Sequence, residues 1–281
     1  MAHGRVGSGR RRLTVAGFLI SAATAALITS TALSSNTRDD NRAPPTGPAS
    51  PFAATSSAFK LTAPPAAFTT RRVVPLADAA DVTRWAPVLR AILARRAPSL
   101  RSAPAGRIPT RTGDGTTNIV VADDEAEHHG VLWERVRLAV LPNGSQGWVP
   151  RSSLGGWSFV DTHLVIDRAE LTAELLQAGR VIFRARVAVG APGTPTPAGQ
   201  FYVLDRLSGF SGTFYGPLAF GTNARSPTLT DWPHGGIIGI HGTNRPDLIP
   251  GRVSHGCVRL TNAAIRRLGK LMPVGTPVTI T

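Results

Sequence analysis

The chain contains a single cysteine, Cys257, so no internal disulfide can hold its fold together. Cys257 ends the motif Ser-His-Gly-Cys that begins at Ser254, and a further histidine, His241, stands sixteen residues upstream of it. A lone cysteine flanked by histidines is a small buried hydrophobe, a metal ligand or a nucleophile. The surrounding sequence favours the nucleophile.

The residues before His241 predict a buried strand that ends at a polar side chain. Residues 236–240 are apolar apart from their glycines, His241 follows them, and Gly242 then breaks the strand. Proline and glycine predict that the segment up to Ser254 is a loop, which returns Cys257 to His241. An imidazole in that place can take the thiol proton and leave a thiolate–imidazolium pair.

Two other interpretations of this cluster remain open but are weaker. Zinc accepts cysteine and histidine ligands, yet the spacing of His255 and Cys257 is too tight for an ordinary chelating pair. No carboxylate is obviously placed to help, so we predict neither a metal nor another cofactor. An inert, buried cysteine would not require two histidines at this spacing. The zinc set would comprise His234, His241, His255 and Cys257.

Two segments around these residues resemble the active-site signature of the L,D-transpeptidases of the YkuD family. Residues 240–246, Ile-His-Gly-Thr-Asn-Arg-Pro, contain the histidine and the start of the loop. Residues 253–260, Val-Ser-His-Gly-Cys-Val-Arg-Leu, contain the Ser/Thr-His-Gly-Cys motif. The similarity extends upstream through residues 187–190 and 194–203, and it covers about residues 158–281.

The resemblance implies a β-sandwich catalytic domain that acts on peptidoglycan stem peptides without a metal. By position, Cys257 matches the nucleophile, His241 matches the general base and His255 matches the pocket histidine. The resemblance also implies that the Gly242 carbonyl orients His241. Gly256 allows close approach of the substrate, and the amides near it are expected to hold an oxyanion. The substrate-binding residues are expected to be Ser254, Gly242 and Arg259.

The reaction implied by the resemblance is a 3→3 cross-link made in two acyl transfers. Cys257 attacks the carbonyl of the third stem residue, a diamino acid, and a terminal D-Ala leaves with a proton from His241. A side-chain amine of a neighbouring stem then takes the acyl group from the thioester. Two rivals are a carboxypeptidase or endopeptidase, in which water takes the thioester, and a non-catalytic wall-binding protein.

The first part of the chain predicts export. Residues 1–33 combine an arginine-rich start with an uncharged run at 13–33, which indicates a signal peptide or a membrane anchor. Residues 34–72 are rich in Pro, Ala, Ser and Thr and predict an extended linker. The formal net charge of +14 comes almost entirely from arginine. Because no nucleic-acid motif accompanies it, an anionic cell envelope is the expected partner, and the protein is expected to act there as a monomer.

The remainder predicts two β domains, at residues 73–156 and 157–281. The first resembles a small bacterial SH3-like module because of its late Gly-Trp-Val-Pro strand at 147–150, and an acidic turn is expected at 123–125. In the second, alternation over 180–189 predicts a strand, and residues from Asn262, the expected cap, predict a helix. The expected fold class is therefore mainly β.

Overall fold

The computed structural model describes residues 74–75, 82–209, 213–231 and 236–281 of the chain. Within these ranges the protein is mainly β with one α-helix, which confirms the predicted fold class. The expected signal segment at 1–33, the whole linker at 34–72 and His234 lie outside the described residues. No helix in the described ranges is both long and apolar enough to cross a membrane.

The first eight strands form one sheet with the order β4-β3-β7-β6-β5-β2-β8, and β1 pairs with β5. We call residues 82–160 the N-terminal module. Its sheet encloses a small apolar core in which Ala86, Val136 and Val149 have no exposed surface. The strands are β1 Val74–Pro75, β2 Thr83–Pro87, β3 Ile92–Arg95, β4 Pro104–Ile108, β5 Ile119–His128, β6 Val131–Arg137, β7 Gln146–Pro150 and β8 Ser158–Val160.

The acidic turn predicted at 123–125 is wrong, because β5 continues through it to His128. The two aspartates pair across the sheet with arginines of β6: Arg137 binds Asp123 at 2.8 Å, and Arg135 binds Asp124. Charge pairing between neighbouring strands removes the reason to expose these carboxylates in a turn. The chain instead turns at His129 and Gly130, which both have positive φ.

The remaining strands form a ten-stranded sheet with the order β11-β10-β9-β18-β13-β14-β15-β17-β12-β16. β10 pairs with β11 in a hairpin that turns at Ala178 and Gly179, both at positive φ. The strands are β9 Thr162–Asp167, β10 Thr172–Gln177, β11 Arg180–Arg186, β12 Ala188–Gly190, β13 Gly199–Ser208, β14 Leu218–Arg225, β15 Ile237–His241, β16 Gly251–Ser254, β17 Val258–Arg259 and β18 Pro277–Ile280.

The helix α1, Asn262–Leu271, covers this sheet and packs on β14. Its Ile265 and Leu268 are fully buried, as the sequence periodicity predicts. The predicted cap is off by one residue: Thr261 is the N-cap, and its hydroxyl accepts from the Ala264 N–H at 3.2 Å. The Asn262 side chain is used elsewhere, since its Oδ1 accepts from the Thr243 N–H next to the candidate site.

The N-terminal module and the second sheet share a buried boundary. Ile119 and Val121 of the module form one apolar cluster with Tyr202 and Leu204 of β13. The first sheet also takes in β8, past the boundary expected at residue 156, because Ser158–Val160 pairs with β2. The division into two domains and the SH3-like resemblance stay predictions.

One carboxylate of the N-terminal module is buried without a hydrogen bond. Glu134 of β6 has no exposed surface, and neither of its carboxylate oxygens has a hydrogen-bond partner in the described part of the chain. The nearest cation, Arg151, keeps its Nε 3.7 Å from Oε1. Burial raises the pKa of Glu134 from its ordinary 4.5 to about 8, with a further increase from Glu125 and partial relief from Arg151 and Arg84.

The stability of the folded chain is therefore expected to fall as the pH rises from about 4.5 to about 8. Over that interval the folded state keeps a proton on Glu134 that the unfolded state releases, so each added pH unit favours unfolding. Glu134→Gln should flatten this dependence, which thermal unfolding across the interval would measure. An equally steep dependence in the variant would show that another group causes it.

Candidate active site

The register of two parallel strands brings Cys257 to His241. Ile240 pairs with Val258 and His241 pairs with Arg259, so Cys257 lies level with Gly239. Because side chains alternate along a strand, Gly239, His241, Cys257 and Arg259 share one face of the sheet. Ile238, Ile240, Val258 and Leu260 share the other face and are 0–1% exposed. Burial of these four apolar side chains fixes the register of the two strands, and that register places Cys257 beside His241.

Gly239 leaves the gap that the cysteine and the histidine both face. A Cβ placed on Gly239 would lie 3.8 Å from the Cys257 Sγ and 3.9 Å from the His241 Cδ2. The Gly239 N–H also donates to the sulfur at 3.4 Å. Gly239 was not predicted as a site residue; its signal in the sequence is a glycine two residues before the histidine, in a strand that is otherwise apolar.

His241 is buried, and its tautomer follows from one contact. Its Nδ1 lies 2.6 Å from the Gly242 carbonyl oxygen, which can only accept a hydrogen bond. Nδ1 therefore carries the proton, and the lone pair of Nε2 is left to act as a base. The ring of Tyr215 meets the imidazole edge-on at 4.9 Å between centroids. Burial lowers the pKa of His241 to about 4, opposed by the Gly242 contact and assisted by Arg259.

Cys257 is half-buried, and burial raises the pKa of its thiol. The Gly239 N–H and the positive charge of Arg259 act in the opposite direction. Since burial also disfavours the imidazolium form of His241, the resting pair is a neutral thiol beside a neutral imidazole. A thiol in that state can act as a nucleophile only if a base takes its proton as the sulfur attacks.

The Ser-His-Gly-Cys turn is held by a set of short hydrogen bonds. The Ser254 hydroxyl donates to the Cys257 carbonyl at 2.5 Å and accepts from the Gly256 N–H at 3.1 Å. The Gly256 amide, expected to help hold an oxyanion, is therefore engaged within the turn instead. Thr196, which is also buried, donates to the Gly256 carbonyl at 2.7 Å, and Thr194 donates to the Ser254 carbonyl at 3.0 Å.

The two glycines of the site each have a steric reason. Gly256 has φ +114°, and a Cβ there would stand 2.9 Å from the Ile238 side chain. A Cβ on Gly242 would lie 2.5 Å from the Asn262 Oδ1, so only glycine lets the loop after His241 pass the start of α1. Neither Thr196 nor Asn262 was assigned a role in the site from sequence, because both act through backbone groups far along the chain.

Removing the Ser254 hydroxyl is expected to loosen this turn. In Ser254→Ala the buried Gly256 N–H and Cys257 carbonyl lose their partner, at a cost of about 1–3 kcal/mol in the free energy of unfolding. Displacement of the sulfur should slow acylation of Cys257 by about tenfold or more. Ser254→Thr keeps the hydroxyl and is the matched control. Chemical denaturation and intact-protein mass spectrometry measure the two effects; parent-like values in Ser254→Ala would show that the hydroxyl is dispensable.

A cleft of about 450 Å³ opens above the cysteine. His255 and Arg259, both predicted site residues, line it together with Cys257 and His241. Phe214 and Tyr215 line it too. Ser254, Gly256 and Gly242 support the cleft from behind rather than line it.

Two arginines near the motif lie outside this cleft. Arg245 forms an exposed ion pair with Asp247 at 2.8 Å, and Arg252 donates to the Arg168 carbonyl at 2.7 Å. The segment up to Ser254, expected to be a loop, contains the short strand β16 beside β12. Among the residues that the structure describes, no group of three His, Cys, Asp or Glu side chains is arranged to hold a metal ion.

Sequence comparison shows which family this part of the chain is similar to. Residues 161–280 match the profile of the YkuD family, described as the L,D-transpeptidase catalytic domain. The match includes all the strands of the second sheet and the predicted site residues from His241 to Arg259, and it confirms the family resemblance read from the active-site motif.

Individual proteins are similar to the same part of the chain. A Bacillus subtilis (strain 168) protein named as the L,D-transpeptidase YkuD is 34% identical over 118 residues, 42% of this chain and 65% of its own length. Its namesake in Bacillus licheniformis is 34% identical over 39% of this chain and 59% of its own. The chain thus spans about 60% of the length of these relatives. A crystal structure of a mutant Enterococcus faecium L,D-transpeptidase is 27% identical, with a TM-score of 0.34 over 43% of this chain and 50% of that chain.

Proposed function

We propose that this protein is an exported cysteine L,D-transpeptidase that forms 3→3 cross-links in peptidoglycan. The observation that carries the proposal is the gap over Gly239, faced from two sides by the Cys257 sulfur and the His241 ring. A nucleophile and a base that converge on one open space are the arrangement that covalent acyl transfer needs. The similarity of residues 161–280 to the YkuD family supports the stem peptide as the substrate class.

The first half-reaction makes the thioester. As Cys257 attacks the carbonyl carbon of the third stem residue, its proton passes to Nε2 of His241, and a carbon–sulfur bond forms. The bond to the terminal D-Ala breaks, and the D-Ala amine takes the proton from His241 as it leaves. The imidazole returns to its neutral form, the form that burial favours.

The second half-reaction transfers the acyl group. A side-chain amine of a neighbouring stem attacks the thioester, gives a proton to His241 and forms the cross-linking amide, and the thiol is regenerated. Arg259 lines the cleft and places a positive charge near the sulfur, where it offsets negative charge on sulfur or on the tetrahedral oxygen. The Cys257 amide is proposed as an oxyanion donor, since the Gly256 amide is engaged by Ser254.

Product analysis tests the proposal and separates it from its rivals. The protein is incubated with purified disaccharide-tetrapeptides, and the products are separated by mass spectrometry. We expect dimers that have lost one D-Ala. Trimmed monomers alone would make the protein a hydrolase on the same site. Unchanged substrate, together with no acylation of Cys257 by a carbapenem, would favour a wall-binding protein without catalysis.

Export is a separate part of the proposal and rests on residues 1–72. The arginine-rich start, the uncharged run at 13–33 and the Pro-rich linker would carry the catalytic part beyond the membrane, as a cleaved or retained signal. A free thiol is unusual outside the cytoplasm unless it is used. Fractionation with a tag at Thr281 should find the protein in the cell envelope. Recovery of most of it in the cytoplasm with residues 1–33 intact would contradict export and the substrate together.

A further inference from the structure

A second cleft lies where the N-terminal module meets the second sheet. It is open to solvent on one side, with about 540 Å³ of space including that open part, and we call it the junction cleft. Arg107 and Arg111 from the module line one part of it, and Arg137 from β6 and Arg225 from β14 line another. No described Asp or Glu lines the junction cleft.

Four guanidinium groups around one space, whose described lining includes no carboxylate, favour an anionic occupant. Arg137 is neutralised by Asp123, which it contacts at 2.8 Å, and Arg225 donates from Nε to the Ala139 carbonyl at 3.0 Å. Arg111 donates once, to the Gly115 carbonyl at 2.8 Å, and Arg107 is exposed. A guanidinium has five donors, so Arg107 and Arg111 keep several N–H groups for a ligand.

The walls of the junction cleft are suited to a peptide rather than to a phosphate polymer. Ile108, Ile119 and Leu204 line it and are at most 6% exposed. Tyr202 lies at its base, and its hydroxyl is already committed to the Ile119 carbonyl at 3.2 Å. Apolar walls with a few cations match a chain whose backbone is uncharged and whose carboxylates are spaced apart, whereas a phosphate polymer is charged at every unit.

The junction cleft adjoins the catalytic cleft through one residue. Ile237, the first residue of β15, lines both clefts. Its carbonyl oxygen lies 4.0 Å from the Cys257 sulfur. The two clefts therefore share a wall at Ile237.

We propose that the junction cleft binds a carboxylate-bearing peptide, and that this peptide is a second stem held beside the one that reacts. The carboxylate specificity stands on the arginines alone; the identity of the ligand as a stem peptide rests on the function proposed above. Arg107 and Arg111 bind its carboxylates, and the apolar wall holds its backbone and methyl groups.

The test measures binding with the catalytic cleft already filled. The whole chain is acylated at Cys257 with a carbapenem, checked by intact mass, and titrated calorimetrically with a purified disaccharide-tetrapeptide. Arg107→Gln combined with Arg111→Gln should weaken the remaining binding by about tenfold or more, because each change removes charge-assisted hydrogen bonds. The matched control is Arg180→Gln combined with Arg186→Gln, two exposed arginines of β11 that do not line the junction cleft, and it should change the affinity by less than about twofold.

Further measurements distinguish failure of the junction-cleft proposal from failure of the proposed function. If carbapenem does not acylate the protein, the proposed function fails, and iodoacetamide at Cys257 replaces it so that the junction cleft can still be titrated. An equal loss in both arginine pairs would reduce the effect to general charge attraction and overturn the proposal. So would undiminished binding of a tetrapeptide whose carboxyls are amidated. Tighter, arginine-dependent binding of linear polyphosphate would assign the junction cleft to a phosphate polymer instead.

Discussion

Replacing Cys257 with alanine is expected to abolish the formation of cross-linked dimers, a loss of about 10⁴-fold or more in turnover. The thioester cannot form without the sulfur, and Cys257 is the only cysteine among the described residues that line the catalytic cleft. Cys257→Ser keeps the shape of the site but should be nearly as inactive. A hydroxyl gives up its proton far less readily than a thiol, and burial already opposes ionisation at this position.

The fold should survive both substitutions, so loss of activity cannot be attributed to unfolding. Cys257 is half-buried, and its sulfur makes one hydrogen bond within 3.5 Å, from the Gly239 N–H. Serine offers that N–H an acceptor of similar size. Thermal unfolding of parent and variants would verify the fold. Dimers produced by a well-folded Cys257→Ala protein would show that another group is the nucleophile.

The sequence predicted the second sheet better than the first module, for a physical reason. Strands such as β10 and β11 pair locally across Ala178 and Gly179, and their apolar residues alternate with a period of two. The acidic run at 123–125 was misjudged because its stability comes from Arg135 and Arg137 on the next strand. A single-strand pattern contains no information about such a partner.

Within the candidate site, the sequence identified the groups with reactive chemistry and missed those that hold the backbone. The short motif from Ser254 to Cys257 and the strand before His241 were sufficient to bring the thiol and the imidazole together. Gly239, Thr196 and Asn262 were not found, because each acts on a group fixed only by the parallel pairing of β15 and β17 or by the start of α1. Parallel pairing joins segments distant in sequence and leaves no local signature.

The engagement of the Gly256 amide illustrates the same limit. Glycine before the cysteine predicted an open backbone next to the substrate, and the positive φ agrees with a turn that only glycine adopts easily. The Gly256 N–H nevertheless points at the Ser254 hydroxyl, which accepts its hydrogen bond at 3.1 Å. The hydrogen bonds of Ser254 therefore stabilise the turn in the first place, and contact with the substrate is secondary.

Replacing His241 with glutamine is expected to slow the release of D-Ala from a tetrapeptide donor by about 10²–10⁴-fold. Glutamine fills most of the buried space and can still meet the Gly242 carbonyl, but it cannot carry a proton between the thiol and the leaving amine. His255→Gln is the matched control, because His255 lines the same cleft but is exposed. Its substitution should lower the rate of D-Ala release less than His241→Gln does, and should act through the fit of the substrate.

The pH dependence identifies which histidine is the base. Burial lowers the pKa of His241 to about 4, so the imidazole is neutral above that pH and protonated below it. The D-Ala release rate of the parent should therefore hold down to about pH 5 and fall as the pH drops through about 4. This acid limb should disappear in His241→Gln, whose residual rate has no imidazole to titrate, and should persist in His255→Gln. A limb that survives in His241→Gln and is lost in His255→Gln would reverse the two roles.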